Sequence, residues 1–141
     1  MSTTVPPQPT HSPFAYGTSN FSTIRHERSF FVDNTHHIRL LESGYQYLFV
    51  RPPRIGKSLF VETLRHYYDC AASQAEFDAL FGGLDAHTNA TPLARSFHVL
   101  KLDFSIRIAG DVKQNFDDQV NKLLGKFRDH YNLEFDINPR L

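Results

Sequence analysis

A double proline stands directly behind the most apolar hexapeptide of the chain, and this limits what the chain can become. Residues 45–50 read YQYLFV, the composition of a buried strand. Arg51-Pro52-Pro53-Arg54-Ile55-Gly56 follows, and proline has no amide to donate to a sheet ladder, so the strand must end there. From Lys57 the periodicity is helical, with Phe60, Leu64 and Tyr67/Tyr68 at spacings of four and three. The chain is thus expected to pass from strand to helix through one short turn.

The flanking segments extend this rhythm. Residues 30–32 (FFV) are expected to be extended and to lead into a helix over residues 35–43, with Asp33 or Asn34 as cap and Gly44 as a left-handed stop. Ser73-Gln74-Ala75-Glu76 is a capping box opening a short helix, whose apolar face is Phe77, Leu80 and Phe81 and whose end is Gly82-Gly83. Residues 85–92 form a polar loop, and residues 97–104 (FHVLKLDF) are a second strand candidate. Asp111 then caps a long helix with Val112, Phe116, Val120, Leu123, Leu124, Phe127 and Tyr131 on one stripe. Strand, helix, strand, helix predicts an α/β domain with a parallel sheet.

Composition narrows the function. The 141 residues suit one domain or part of one. Residues 1–20 carry four of the eight prolines with many Ser and Thr, and are expected to be a disordered tail ahead of a domain over residues 21–141. Fifteen Lys+Arg balance fifteen Asp+Glu, which argues against a general electrostatic grip on nucleic acid or an anionic membrane. The lone cysteine, Cys70, allows no disulfide framework within the chain and fits a reducing compartment. The start, MSTTVPPQPTHSP, has neither the basic opening nor the apolar run of a signal peptide, and no apolar run approaches membrane-spanning length. A cytoplasmic location is the expectation.

Gly56-Lys57-Ser58 carries the chemistry. It lies between a strand candidate and a helix, which is the back half of a phosphate-binding loop. The first amides of a helix lack internal partners and point outward, and the helix dipole adds positive potential there. Gly56 lets phosphate oxygens approach the backbone, Lys57 can bridge outer phosphates, and the Ser58 hydroxyl can ligate Mg²⁺. The full Gly-x4-Gly-Lys-Ser/Thr pattern is not met, because Arg51 occupies the first Gly position and Pro52 and Pro53 remove two amides. Arg51 and Arg54 can supply charge in their place, since guanidinium binds phosphate in a two-pronged fashion. The candidate site is Arg51, Arg54, Ile55, Gly56, Lys57, Ser58 and Leu59, with ATP and Mg²⁺ as cofactors and Ser58 on the metal.

The run from Arg51 to Leu59 (RPPRIGKSL) resembles the degenerate loop Arg-Pro-x-Arg-x-Gly-Lys-Ser-Leu of the AAA-ATPase-like P-loop family, often joined to a PD-(D/E)XK nuclease-like domain. Phe21-x-x-Ile24-Arg25, Phe31-Val32-Asp33-Asn34-Thr35-x-x-Ile38, Leu80-Phe81-Gly82-Gly83-Leu84 and the VLKLDFS run at residues 99–105 resemble further segments of that family. Asn34 departs from it, standing where the family usually has Lys. The resemblance implies the N-terminal portion of a P-loop NTPase-like domain that binds nucleotide. It also implies a central loop-bearing strand whose neighbours come later in the family's chains, so that a second chain is a candidate to complete the sheet.

Hydrolysis in such a family needs an acidic strand, four apolar residues ending in Asp and usually Glu, to hold Mg²⁺ and activate water. No such run occurs in the sequence; Asp103, after Val99-Leu100-Lys101-Leu102, is the nearest substitute. The expectation is ATP binding without independent hydrolysis. The competing reading is a truncated, non-enzymatic remnant or interaction protein that no longer binds nucleotide. His36-His37 point apart on a helix and lack metal-ligand spacing.

Overall fold

The computed structural model describes residue 14 and residues 17–50, 52–103 and 112–135. Most of the tail expected over residues 1–20, the Asp111 cap and Arg51 lie outside the described residues. Six helices are described: α1 (Phe21–His26), α2 (Ile38–Leu41, entered through a 3₁₀ turn at Thr35–His37), α3 (Lys57–Tyr68), α4 (Gln74–Phe81), α5 (Asp85–Thr88) and α6 (Val112–Tyr131).

The parallel sheet expected from the sequence is not found. The described residues contain no strand; their only β pairings are single parallel bridges, Phe14 with Phe30 and Asp69 with Phe97. Residues 45–50 form no β pairing among the described residues, and Leu48 and Val50 are 88% and 79% exposed. Apolar, β-branched and aromatic composition favours a pleated, half-buried surface, but a strand exists only when a neighbour takes its amides and carbonyls. Among the described residues, the run over 97–103 makes its backbone-to-backbone bonds at Phe97. The Cys70 amide donates to the Phe97 carbonyl and the Phe97 amide to the Tyr68 carbonyl, each at 2.9 Å, which ties this run to the C-terminal end of α3.

The core is instead helical and aromatic. Phe21, Ile24, Ile38, Tyr67, Phe77, Leu80, Phe81, Leu84 and Ala86 are buried. Phe81 is its hub, with ring centroids 5.1 Å from Phe21, 5.6 Å from Tyr67 and 4.8 Å from Phe77. Such tilted and offset arrangements suit the ring quadrupoles and add to the burial of apolar area.

Two charged side chains tie the helices around this core. Arg25, in the last turn of α1, donates through Nε to the Leu80 carbonyl (2.6 Å) and through an Nη to the Gly82 carbonyl (2.7 Å). It thereby satisfies carbonyls that the end of α4 leaves open, with charge of the sign the helix dipole favours there. Asp33 does the reverse at an N-terminus. Its Oδ1 accepts from the Thr35 amide (2.9 Å) and hydroxyl (2.6 Å), and its Oδ2 from the Asp85 amide at the start of α5 (2.8 Å). The Thr35 hydroxyl in turn accepts from the Ala86 amide at 2.9 Å. Burial pushes the Asp33 carboxyl up, but these bonds and the nearby His36 outweigh it and hold it below the usual aspartate value.

Several local expectations are refined. Asp33, not Asn34, caps the turn at Thr35, and α2 ends at Leu41, before Gly44, which is not left-handed. Ser73 caps α4 by accepting from the Glu76 amide at 3.1 Å, and Gly83 takes the left-handed conformation after it. The polar loop over residues 85–92 begins with the short helix α5.

The α6 helix is held at its far end. The Tyr131 hydroxyl donates to Asp69 Oδ1 and accepts from the Val99 amide, each at 2.9 Å. Burial and the Asp69 carboxylate push the Tyr131 pKa up to about 12, against the opposing pull of the Val99 amide. No side chain described on α6 is buried, and Phe116 on its apolar stripe stays exposed.

Candidate functional site

The turn over residues 52–56 delivers the chain into α3. Arg54 and Gly56 both have positive φ (63° and 84°), and Gly56 is the N-cap of α3. Left-handed backbone is natural for glycine and strained for arginine. A methyl group at Gly56 would meet nothing within 4 Å, so the space above this residue is open. A glycine N-cap has no side chain to bond the first turn. Among the described residues no side chain caps the Ser58 and Leu59 amides, and the first helical bond runs from the Phe60 amide to the Gly56 carbonyl at 2.9 Å.

Six of the seven expected site residues therefore form one continuous arc, and the seventh, Arg51, lies outside the described residues. Arg54, Ile55, Gly56 and Ser58 are exposed. Leu59 is half-buried and packs against the helical core, which anchors the first turn of α3. Lys57 folds back, its ammonium donating to the Pro52 carbonyl at 2.8 Å. That bond closes the turn and holds positive charge beside its mouth. The arrangement can accept an anion: open amides at a helix start, a glycine with no Cβ in the way, and an adjacent ammonium.

The residues fit a phosphate group better than they fit its metal. The Ser58 hydroxyl is exposed and available to a cation, but among the described residues no group of three His, Cys, Asp or Glu is placed to hold one. Asp103 is exposed on the run that leaves α3's far end.

Beside the turn lies a cavity of about 670 Å³. Phe30, Leu40, Leu41, Phe49, Ile55 and Phe60 give it apolar walls, and Gly56 and Lys57 form part of its rim. Composition favours core packing for Phe30, Phe31 and the 45–50 run over stacking on a base, whereas the structure sets Phe30, Phe31 and Phe49 against this cavity. The available signal was the segment Phe31-Val32-Asp33-Asn34-Thr35, which Asp33 folds across the cavity rather than into a sheet. Arg25, in contrast, belongs to a motif of the resemblance but does not line this cavity; it binds α4 carbonyls.

The model of a family described as a predicted AAA-ATPase matches residues 15–139, so the chain belongs to the AAA-ATPase-like family. One similar protein is the "Uncharacterized protein in vnfD 5'region" of Azotobacter chroococcum mcd 1, 32% identical over 110 residues. The match covers 77% of this chain and 20% of that protein, so the chain spans about a fifth of the length of the relative. No solved structure matches the chain.

Proposed function

We propose that this chain binds ATP, with its phosphates against the turn and first amides of α3. Gly56, Lys57, Ser58 and Leu59 are the central residues, and Arg54, Ile55 and Arg51 flank them. One observation carries the reading: a left-handed glycine with open space above it, at the start of a twelve-residue helix, followed by Lys and Ser. Membership of a predicted AAA-ATPase family supports it.

Each residue has a defined task. The α3 amides and dipole hold phosphate oxygens, and Lys57 exchanges its bond to the Pro52 carbonyl for one to an outer phosphate. Ser58 would hold Mg²⁺, which, when bound, neutralises phosphate charge. Binding is the proposed activity of this segment. No Asp-Glu pair occurs in the sequence, and no residue is assigned the activation of water.

The test is calorimetric titration of the full chain with ATP and Mg²⁺, beside Lys57→Ala. Saturable binding that weakens by roughly tenfold or more in the variant, the loss of one charge-assisted phosphate contact, is the expected result. No heat at millimolar ATP would mark the loop as a remnant and overturn the reading.

A further inference from the structure

Residues 45–50 hold backbone bonding capacity that the described part of the chain does not use. Among the described residues none of their amides or carbonyls takes part in a backbone-to-backbone hydrogen bond. The run is nevertheless fastened on one side. The Tyr47 hydroxyl donates to the Leu40 carbonyl of α2 at 3.1 Å, and the Phe49 ring centroid lies 5.6 Å from that of Phe60 on α3. Gly44 makes the first contact possible, because a Cβ there would stand 2.4 Å from the Tyr47 hydroxyl. Exposure alternates with a period of two: Tyr47 and Phe49 are half-covered (51% and 48% exposed), while Leu48 and Val50 face outward. That is the alternation of an extended strand held along one face.

We propose that this run pairs with its own counterpart in a second copy of the chain, antiparallel, about a two-fold axis through Leu48. The inference is independent of the nucleotide reading above. Edge strands are ordinarily protected by a charge, a proline or a bulge. The sequence YQYLFV has neither charge nor proline, and Pro52 and Pro53 follow only after it, where they stop the ladder from lengthening. A two-fold axis normal to an antiparallel pair keeps the same face of both strands on the same side, so each residue opposes one of matching orientation. Centred on Leu48, the register sets Leu48 against Leu48, Tyr47 against Phe49 and Gln46 against Val50. The aromatic pairs then lie on the covered face and the Leu48 pair on the outer one, and no like charges meet. An uncharged run offers nothing to select a partner of opposite charge, whereas its own copy matches it residue for residue. Covering most of what Tyr47, Leu48, Phe49 and Val50 expose would bury on the order of 1,000 Å² over the two copies, near the lower bound of a specific interface and in keeping with weak association.

Analytical ultracentrifugation of the full chain over a concentration series reads the pairing directly. The mass should rise from 16.2 kDa to twice that value and stop there. The midpoint is expected on the order of tens of micromolar, so that dilute samples hold the single copy described above. Leu48→Lys sets two ammonium groups opposite each other at the axis and should raise that midpoint by roughly tenfold or more. Leu48→Glu should do the same, and an equimolar mixture of the two variants should recover the dimer, since each ammonium then opposes a carboxylate. Leu48 faces solvent in the single copy, so circular dichroism should find both variants folded. A chain still monomeric at roughly millimolar concentration overturns the second copy as the occupant of this run. Assembly that runs on past two copies overturns the closed two-fold pair. A dimer untouched by Leu48→Lys overturns the run as its surface, and a mixture of the two variants that stays monomeric overturns the register through Leu48.

Discussion

The aromatic knot around Phe81 and the run over residues 45–56 have similar apolar content and opposite fates. In the knot, Phe21 and Phe81 are wholly buried, and charged side chains reach more than 50 residues along the chain to close helix ends. In the run, Tyr45, Leu48, Phe49 and Val50 stay exposed, and the turn that follows keeps open amides at the start of α3. Apolar content therefore does not decide burial. Helices complete their own backbone bonds and need only a face to pack against, while a strand-forming run needs a neighbour at every residue. The open part of the molecule is also where a ligand can be received.

The largest effect should come from breaking the knot at its hub. Phe81→Ala is expected to cost about 3–5 kcal/mol, from lost burial and the cavity left behind. Leu48→Ala should cost under ~0.5 kcal/mol, because its side chain already faces solvent. Urea unfolding of the two variants gives both values, and equal costs would erase the distinction between the regions.

Next in size is Arg25→Met, which keeps apolar length and removes both bonds to the α4 carbonyls. A loss of about 2–3 kcal/mol is expected by the same measurement, since two charge-assisted bonds disappear and their acceptors are left in a part-buried place. Nucleotide binding by the folded variant should be unaffected, because Arg25 acts on the knot and not on the turn. Weakened ATP affinity in folded Arg25→Met would show that the two regions are coupled.

The smallest effect is one of pH. The Asp33 carboxyl lies below the ordinary 3.8 of an aspartate when the chain is folded, with burial raising it and the Thr35 and Asp85 bonds and His36 lowering it further. Its contribution to stability is therefore fully present above roughly pH 4 and is lost as pH falls through the folded-state value. Asp33→Asn should flatten the acid side of the stability profile relative to the parent chain. An unchanged acid limb in thermal melts from pH 6 to pH 3 would refute the role of this carboxylate in joining α2 to α5.

Much of the helical part was legible from residues alone. Ser73 capping α4, the Phe77, Leu80 and Phe81 face and the span of α3 all depend on contacts within a few turns, which spacing and capping chemistry encode. The Gly56-Lys57-Ser58 turn was legible for the same reason, since a helix start and its glycine are local. The sheet was misjudged because composition over residues 45–50 and 97–104 reports a preference for a partner without supplying one. The cavity was not legible, for it exists only where residues 30–41, 49 and 55–63 meet.

Short-range physics thus wrote the helix starts, the turn and its phosphate-friendly chemistry into the order of the residues. Folding in three dimensions settled the rest. It made Arg25 and Asp33 struts between distant helices, and set Asn34 beside an aromatic hollow. The physical reason is range: a cap or a helical face is satisfied by near neighbours, whereas a cavity, a buried charge or a strand depends on groups that only the folded chain brings together.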